Sequence, residues 1–161
     1  MAFRARYNAN ESMSLGSTLT LASFDDGNRR RSLSLYGRQR VVNKTWFKLD
    51  GTGSAYFSNN SEDLSSYYNP SSDRSLTVGA DMRWIFFRGA DRGLYHRLHP
   101  QLGSYYQDSY GSNPTWSLEY ELGIRFNDSW SINLGARRGR HAYDGGMETS
   151  NTLLLGLEGR L

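Results

Sequence analysis

Cysteine is absent from the 161 residues, which removes disulfide frameworks and thiolate metal sites as ways of organising the chain. Proline is scarce at three residues, whereas glycine reaches 17 and tyrosine 11, a balance suited to many strands joined by turns. No apolar run approaches the length of a transmembrane helix. Charge of one sign is lacking too. The 19 Lys and Arg against 16 Asp and Glu leave +3, dispersed along the chain, so a nucleic-acid surface is not expected. The chain opens MAFRARYNAN without an export signal, so Met1 is expected to head a mature or truncated chain. Apolar residues make up 37% and mean hydropathy is negative, which ordinarily describes a soluble domain. A membrane barrel reads the same way, because half of each strand faces a polar lumen.

What the chain does have is alternation. Trp116, Leu118, Tyr120, Leu122, Ile124 and Phe126 interleave with Ser117, Glu119, Glu121, Gly123, Arg125 and Asn127, a period of two held long enough to cross a tilted bilayer. The pattern recurs in nine segments. Phe3, Ala5 and Tyr7 oppose Arg4, Arg6 and Asn8; Met13, Leu15, Leu19 and Leu21 oppose Ser14, Gly16, Thr18 and Thr20; Leu33, Leu35 and Val41 oppose Ser34, Tyr36, Arg38 and Arg40. From Trp46 to Ser58, Phe47, Leu49, Ala55 and Phe57 oppose Lys48, Asp50, Thr52 and Tyr56. Past a long loop over Asn59 to Asp73, Leu76, Val78, Ala80, Met82, Trp84 and Phe86 oppose Thr77, Gly79, Asp81 and Arg83. Leu98, Leu102 and Tyr106 oppose Arg97, His99, Gln101 and Tyr105, with Pro100 as a misfit that favours an edge or a bulge. Trp130, Ile132, Leu134 and Ala136 oppose Asn133, Gly135, Arg137 and Gly139; Leu153, Leu155, Leu157 and Leu161 oppose Leu154, Gly156, Glu158 and Arg160.

Connections alternate in expected length. Those near Asn10, Asn43, Arg88 to Arg92 and Asp128 read as short, and those near Asp26, Asn59 to Asp73, Gln107 to Pro114 and Tyr143 to Glu148 as longer. Outer-membrane barrels place short turns on the periplasmic side and longer loops outside. Aromatics then sort into two girdles, Trp46, Trp84, Phe86, Phe126 and Trp130 at the short-turn rim and Tyr56, Phe57, Tyr106, Trp116 and Tyr143 at the other. The expected fold is all-β, an antiparallel transmembrane barrel of about 8–10 strands over residues 1–161, either complete or part of a larger barrel. Nine is odd, whereas single-chain bacterial barrels close with even numbers. A secreted β-sandwich is the water-soluble alternative.

Tyr67-Tyr68-Asn69-Pro70, Tyr105-Tyr106-Gln107 with Tyr110-Gly111, and Tyr143-Asp144-Gly145 with Glu148 before a final strand make residues 56 to 161 resemble the C-terminal barrel of outer-membrane export porins for poly-N-acetylglucosamine. The resemblance implies a bacterial outer-membrane location and a lumen through which the exopolysaccharide leaves. Membrane lipid, lipopolysaccharide, a polysaccharide and the barrel-insertion machinery are then the partners, with no cofactor and no metal; the oligomeric state stays open. On that reading Asp50, Asp81, Glu119 and Glu121 line an acidic path for a partly deacetylated, cationic glycan, with Gln101 beside it and Tyr36, Tyr56, Tyr95 and Tyr105 offering flat faces to sugar rings. Against it stands a structural reading, in which Arg38, Arg83, Arg97, Arg125 and Arg137 pair with those carboxylates and fill the lumen. A small closed barrel with an adhesive role and a rim-active enzyme are further alternatives. For catalysis the histidines are His96, His99 and His141, the last able to meet Ser109 or Asp144, but no spacing of a nucleophile and base compels it and no catalytic residue is assigned.

Overall fold

The computed structural model describes residues 1–62, 70–89, 92–108, 110–127, 129–143 and 146–159. The motif residues Tyr67, Tyr68 and Asn69, together with Ser109, Asp128, Asp144, Gly145, Arg160 and Leu161, lie outside the described residues, as does the Tyr143 side chain. The nine expected segments form nine strands: β1 (Ala2–Asn10), β2 (Met13–Ser23), β3 (Arg29–Asn43), β4 (Phe47–Asn60), β5 (Ser72–Arg88), β6 (Gly93–Gln107), β7 (Gly111–Arg125), β8 (Trp130–Tyr143) and β9 (Gly146–Gly159). Each pairs antiparallel with its sequence neighbours in one sheet of order β1 to β9. Among the described residues β1 and β9 pair on one side only, so the sheet is open.

Polar side chains predominate on one face and apolar side chains on the other. The register carries Ser14 to Arg38, Arg40 to Asp50, Asp50 to Asp81, Arg97 to Glu121 and Gly123 to Asn133, and the apolar face runs Phe47, Trp84, His96, Leu122, Leu134, Leu155. No apolar side chain among the described residues is buried. Leu153 is 85% exposed and Leu155 76%, while the buried polar residues are Asn28, Asp50, Ser58, Asp73 and Gln107. A water-soluble sandwich would invert that distribution, so the apolar face needs lipid as its solvent.

Turn chemistry sets the ends of the strands. Asn10 Oδ1 accepts from Ser12 N at 2.8 Å, and Asn127 Oδ1 accepts from Ser129 N and Trp130 N at 2.9 and 2.8 Å. Gly27 (φ 88°) takes the left-handed position in the 24–28 turn. The fully buried Asn28 next to it accepts from Ser61 Oγ at 3.2 Å and Glu62 N at 3.3 Å, which ties this turn to the 61–71 connection.

Three expectations about loops and strand breaks need correction. Gln107 to Pro114 is not a loop: strand pairing continues through Gln107↔Gly111 and Ser104↔Pro114, leaving 108–110 as the connection, with Gly111 at φ 75°. Likewise Tyr143 to Glu148 is strand on both sides, since Tyr143 pairs with Gly146. The strands outrun the apolar alternation there, so composition alone marked those ends as loop; the connections 24–28 and 61–71 still make this the longer-loop rim. Finally, Pro100 sits in the central strand β6 without a register shift. Its missing donor coincides with a gap in the β5–β6 ladder, whose pairs stop at Gly79↔Gln101 and resume at Met82↔Leu98.

Bulges break the alternation where it was expected to be continuous. Register shifts fall between Asn8 and Asn10, Arg40 and Val42, and Ile85 and Phe87, all beside the short-turn rim. Phe86 and Phe87 are consequently both exposed, at 66% and 54%. Phe86 meets His96 edge-on at 4.8 Å, and Trp46, Phe47 and Trp84 stack in sequence, forming one aromatic girdle. At the other rim Tyr56 is misassigned to the girdle: it lies on the polar face, where Arg30 Nη2 donates to its hydroxyl at 3.1 Å.

Candidate functional site

The polar face concentrates charge in a stripe crossing β3 to β7. Its origin is the in-register placement of Arg38 and Arg40 on β3, Asp50 on β4, Asp81 on β5, Arg97 on β6, and Glu119 and Glu121 on β7. Asp50 and Asp81 are directly opposed across the ladder, which like charges tolerate only when each has a cation of its own. Each does. Asp50, 2% exposed, accepts from both Arg38 and Arg40, and Asp81 takes the Arg97 guanidinium in a two-pronged contact at 2.9 and 2.8 Å. Arg97 also reaches Glu121 at 3.4 Å and Glu119 at 3.8 Å. Tyr95 donates to Glu121 and its hydroxyl lies 3.2 Å from Asn133 Oδ1, while Arg83 stacks over the Tyr95 ring at 4.6 Å.

A second cluster lies nearer the longer-loop rim. Arg30 contacts Ser58 Oγ at 3.1 Å and Asp73 at 3.6 Å; Ser58 donates to Asp73, and Tyr105 donates to the other Asp73 oxygen at 3.3 Å. Between the clusters, Ser117 donates to Gln101 at 2.9 Å and Thr52 lies 3.5 Å from His99. Glu148 and Glu158 share the polar face through their partners His141 and Ser131, so every carboxylate within a described strand lies there.

The fourteen residues singled out from sequence therefore lie on one face, but not all are joined. Asp50, Asp81, Glu119, Glu121, Tyr95, Arg38, Arg83 and Arg97 form the stripe, and Tyr56 and Tyr105 the upper cluster. Tyr36, 47% exposed, covers Gly16, where a Cβ would run into its ring. Gln101 stands apart with Ser117. Arg125 does not pair with a carboxylate among the described residues: at the rim it donates to Gly89 O at 3.1 Å. Arg137 faces Glu119 across the ladder with no ion pair among the described residues. Sequence reasoning missed Arg30, Asp73, Ser58 and Asn133. Asp73 closes the loop expected over Asn59 to Asp73 but lies in β5, and its alternation with Ser75 and Thr77 is the available signal. Of the histidines, His96 faces outward and pairs with Tyr120, and His141 opposes Glu148.

Comparison with known proteins gives the same picture. The chain matches the family described as PgaA membrane beta barrel domain over residues 1–161, beyond the 56–161 stretch that its motifs suggest. It is 25% identical over 143 residues to the poly-beta-1,6-N-acetyl-D-glucosamine export protein of Escherichia coli strain K12, covering 89% of this chain and 18% of that protein. The O157:H7 protein of the same description gives the same figures, so the chain spans about a fifth of the length of these relatives. A solved bacterial polysaccharide outer membrane secretin superposes with a TM-score of 0.90 at 23% identity, over 99% of this chain and 55% of that one. With a lipid-facing apolar side, a charged lumen side and a family match over its whole length, this chain belongs to the PgaA membrane beta barrel domain family of the bacterial outer membrane.

Proposed function

We propose that the polar face lines part of a passive, non-enzymatic route by which a poly-N-acetylglucosamine-like exopolysaccharide crosses the outer membrane. The names of the relatives support the substrate class, and one feature of the polar face supports the route: its charges divide into wall and lining. Asp50 and Asp81 are committed to two-pronged arginine contacts and hold strands together. Glu119 is held only at 3.8 Å and its side chain is one third exposed, and Tyr36 offers a half-exposed ring. These two, with Gln101, can meet a passing sugar, Glu119 by attracting an ammonium from a deacetylated residue and Tyr36 by stacking. The paired state of Asp50 favours the structural reading for that residue, so the conduit and the salt-bridged wall coexist on one face.

Cells carrying the full protein with Glu119→Arg should display about tenfold less surface polysaccharide at equal barrel assembly, because the lumen would then repel cationic sugars. Undiminished polymer at equal assembly would contradict the assignment of the route to this face.

A further inference from the structure

The apolar face carries an asymmetry that the export reading does not use. No strand carboxylate among the described residues lies on it, yet it holds five arginines: Arg31 opposite Leu21, Arg29 two residues before it and opposite Ser23, Arg74 opposite Phe57, Arg138 opposite Leu118 and Arg140 opposite Trp116. All five are exposed, and among the described residues none makes an ion pair. Every one stands toward the end of its strand that meets the 24–28, 61–71 or 144–145 connection, the rim that faces outward in an outer-membrane barrel. Charge on the lipid-facing side costs far less there than at the midplane, so the placement is an interfacial one. Arg74 is also held in position, its guanidinium lying 4.2 Å over the Tyr106 ring beside Phe57. Asp108, in the adjoining connection, accepts from Ser71 Oγ at 2.8 Å.

Spacing makes two clusters. Arg138 and Arg140, two residues apart on one strand, are about 7 Å apart, and Arg31 and Arg74, two strands and two residues apart, about 12 Å, within the reach of two arginine side chains on one headgroup. A guanidinium presents a planar fork of donors that fits phosphate oxygens, and rings on the same rows, Tyr106 and Trp116, are suited to the boundary between acyl chains and headgroups. We propose that this rim of the apolar face is a binding surface for the phosphorylated headgroup of an outer-leaflet lipid, seated on Arg29, Arg31 and Arg74 and on Arg138 and Arg140. It depends on the membrane facing of the sheet and not on what passes through the lumen.

The test uses the full chain folded in detergent and, as probe, an acylated glucosamine disaccharide carrying two phosphates, with its dephosphorylated form as comparison, followed by native mass spectrometry. The bisphosphorylated lipid should be retained about tenfold more strongly than the dephosphorylated one. Combining Arg74→Gln, Arg138→Gln and Arg140→Gln should abolish that preference, the corresponding lysine variant should keep part of it, and Arg137→Gln, on the same strand but facing the lumen, should leave it unchanged. Equal retention of both lipids, an equal loss with Arg137→Gln, or displacement of the lipid by millimolar inorganic phosphate would overturn the proposal, the last by indicating a free-anion site.

Discussion

Replacing Asp50 with Ala should destabilise the folded protein by about 3 kcal/mol, among the largest effects of any single substitution on the polar face. Asp50 is 2% exposed and is the carboxylate to which both Arg38 and Arg40 donate. Its removal leaves two guanidinium groups on adjacent positions of one face with no counter-charge, and Asp81 opposite is already occupied by Arg97. The side chain of Arg38 is about half exposed and that of Arg40 about a quarter, so both can recover some hydration, which keeps the loss at the lower end for broken buried pairs. Denaturant titration of protein folded into lipid vesicles measures it. A change below about 1 kcal/mol would place Asp50 among ordinary exposed ion pairs.

Leu122→Arg should cost about 2–4 kcal/mol in the same titration, because it puts a cation on the lipid side near the middle of the apolar run from Trp116 to Phe126. Leu122 is flanked by His96 and Leu134 and shares its row with Leu155, all on the apolar face. The natural control at first sight is the adjacent lumen position, Gly123, but any Cβ there collides with the Tyr95 ring, so Gly123→Leu would also destabilise by overpacking. Ser54→Arg is the better control, an exposed lumen position opposite Thr77, and it should change stability by less than about 1 kcal/mol. Equal costs for Leu122→Arg and Ser54→Arg would remove the distinction between the two faces.

Much of the fold was legible because a strand between lipid and a polar lumen writes its facing directly into alternate residues. Leu122 against Glu121, and Leu134 against Asn133, needed no tertiary information. The strand count was readable for the same reason. What alternation does not encode is an extra residue, so the bulge that exposes both Phe86 and Phe87 was invisible, as was the continuation of β6 and β7 past the apolar rows through Ser104 and Ser112. The site was partly legible. Facing put Asp50, Asp81, Arg97 and Glu121 on one side, but partner choice depends on cross-strand register, which sequence did not supply. Alternation leaves all five lumen arginines as candidate partners of Glu121, and register selects Arg97. The five outward arginines went unassigned because Arg138 sits next to Arg137, and in a run of charges period two is hard to see.

The absence of cysteine permits a direct test of the central claim, that one sheet separates lipid from a polar lumen at every second residue. Single cysteines placed in turn from Trp116 to Arg125, in protein folded into vesicles, can be labelled with a water-soluble maleimide and, separately, with a fluorophore quenched by lipid-phase spin labels. The account requires aqueous labelling at 117, 119, 121 and 125 and lipid quenching at 116, 118, 120, 122 and 124. Uniform labelling along the strand, or quenching at the odd positions, would contradict it.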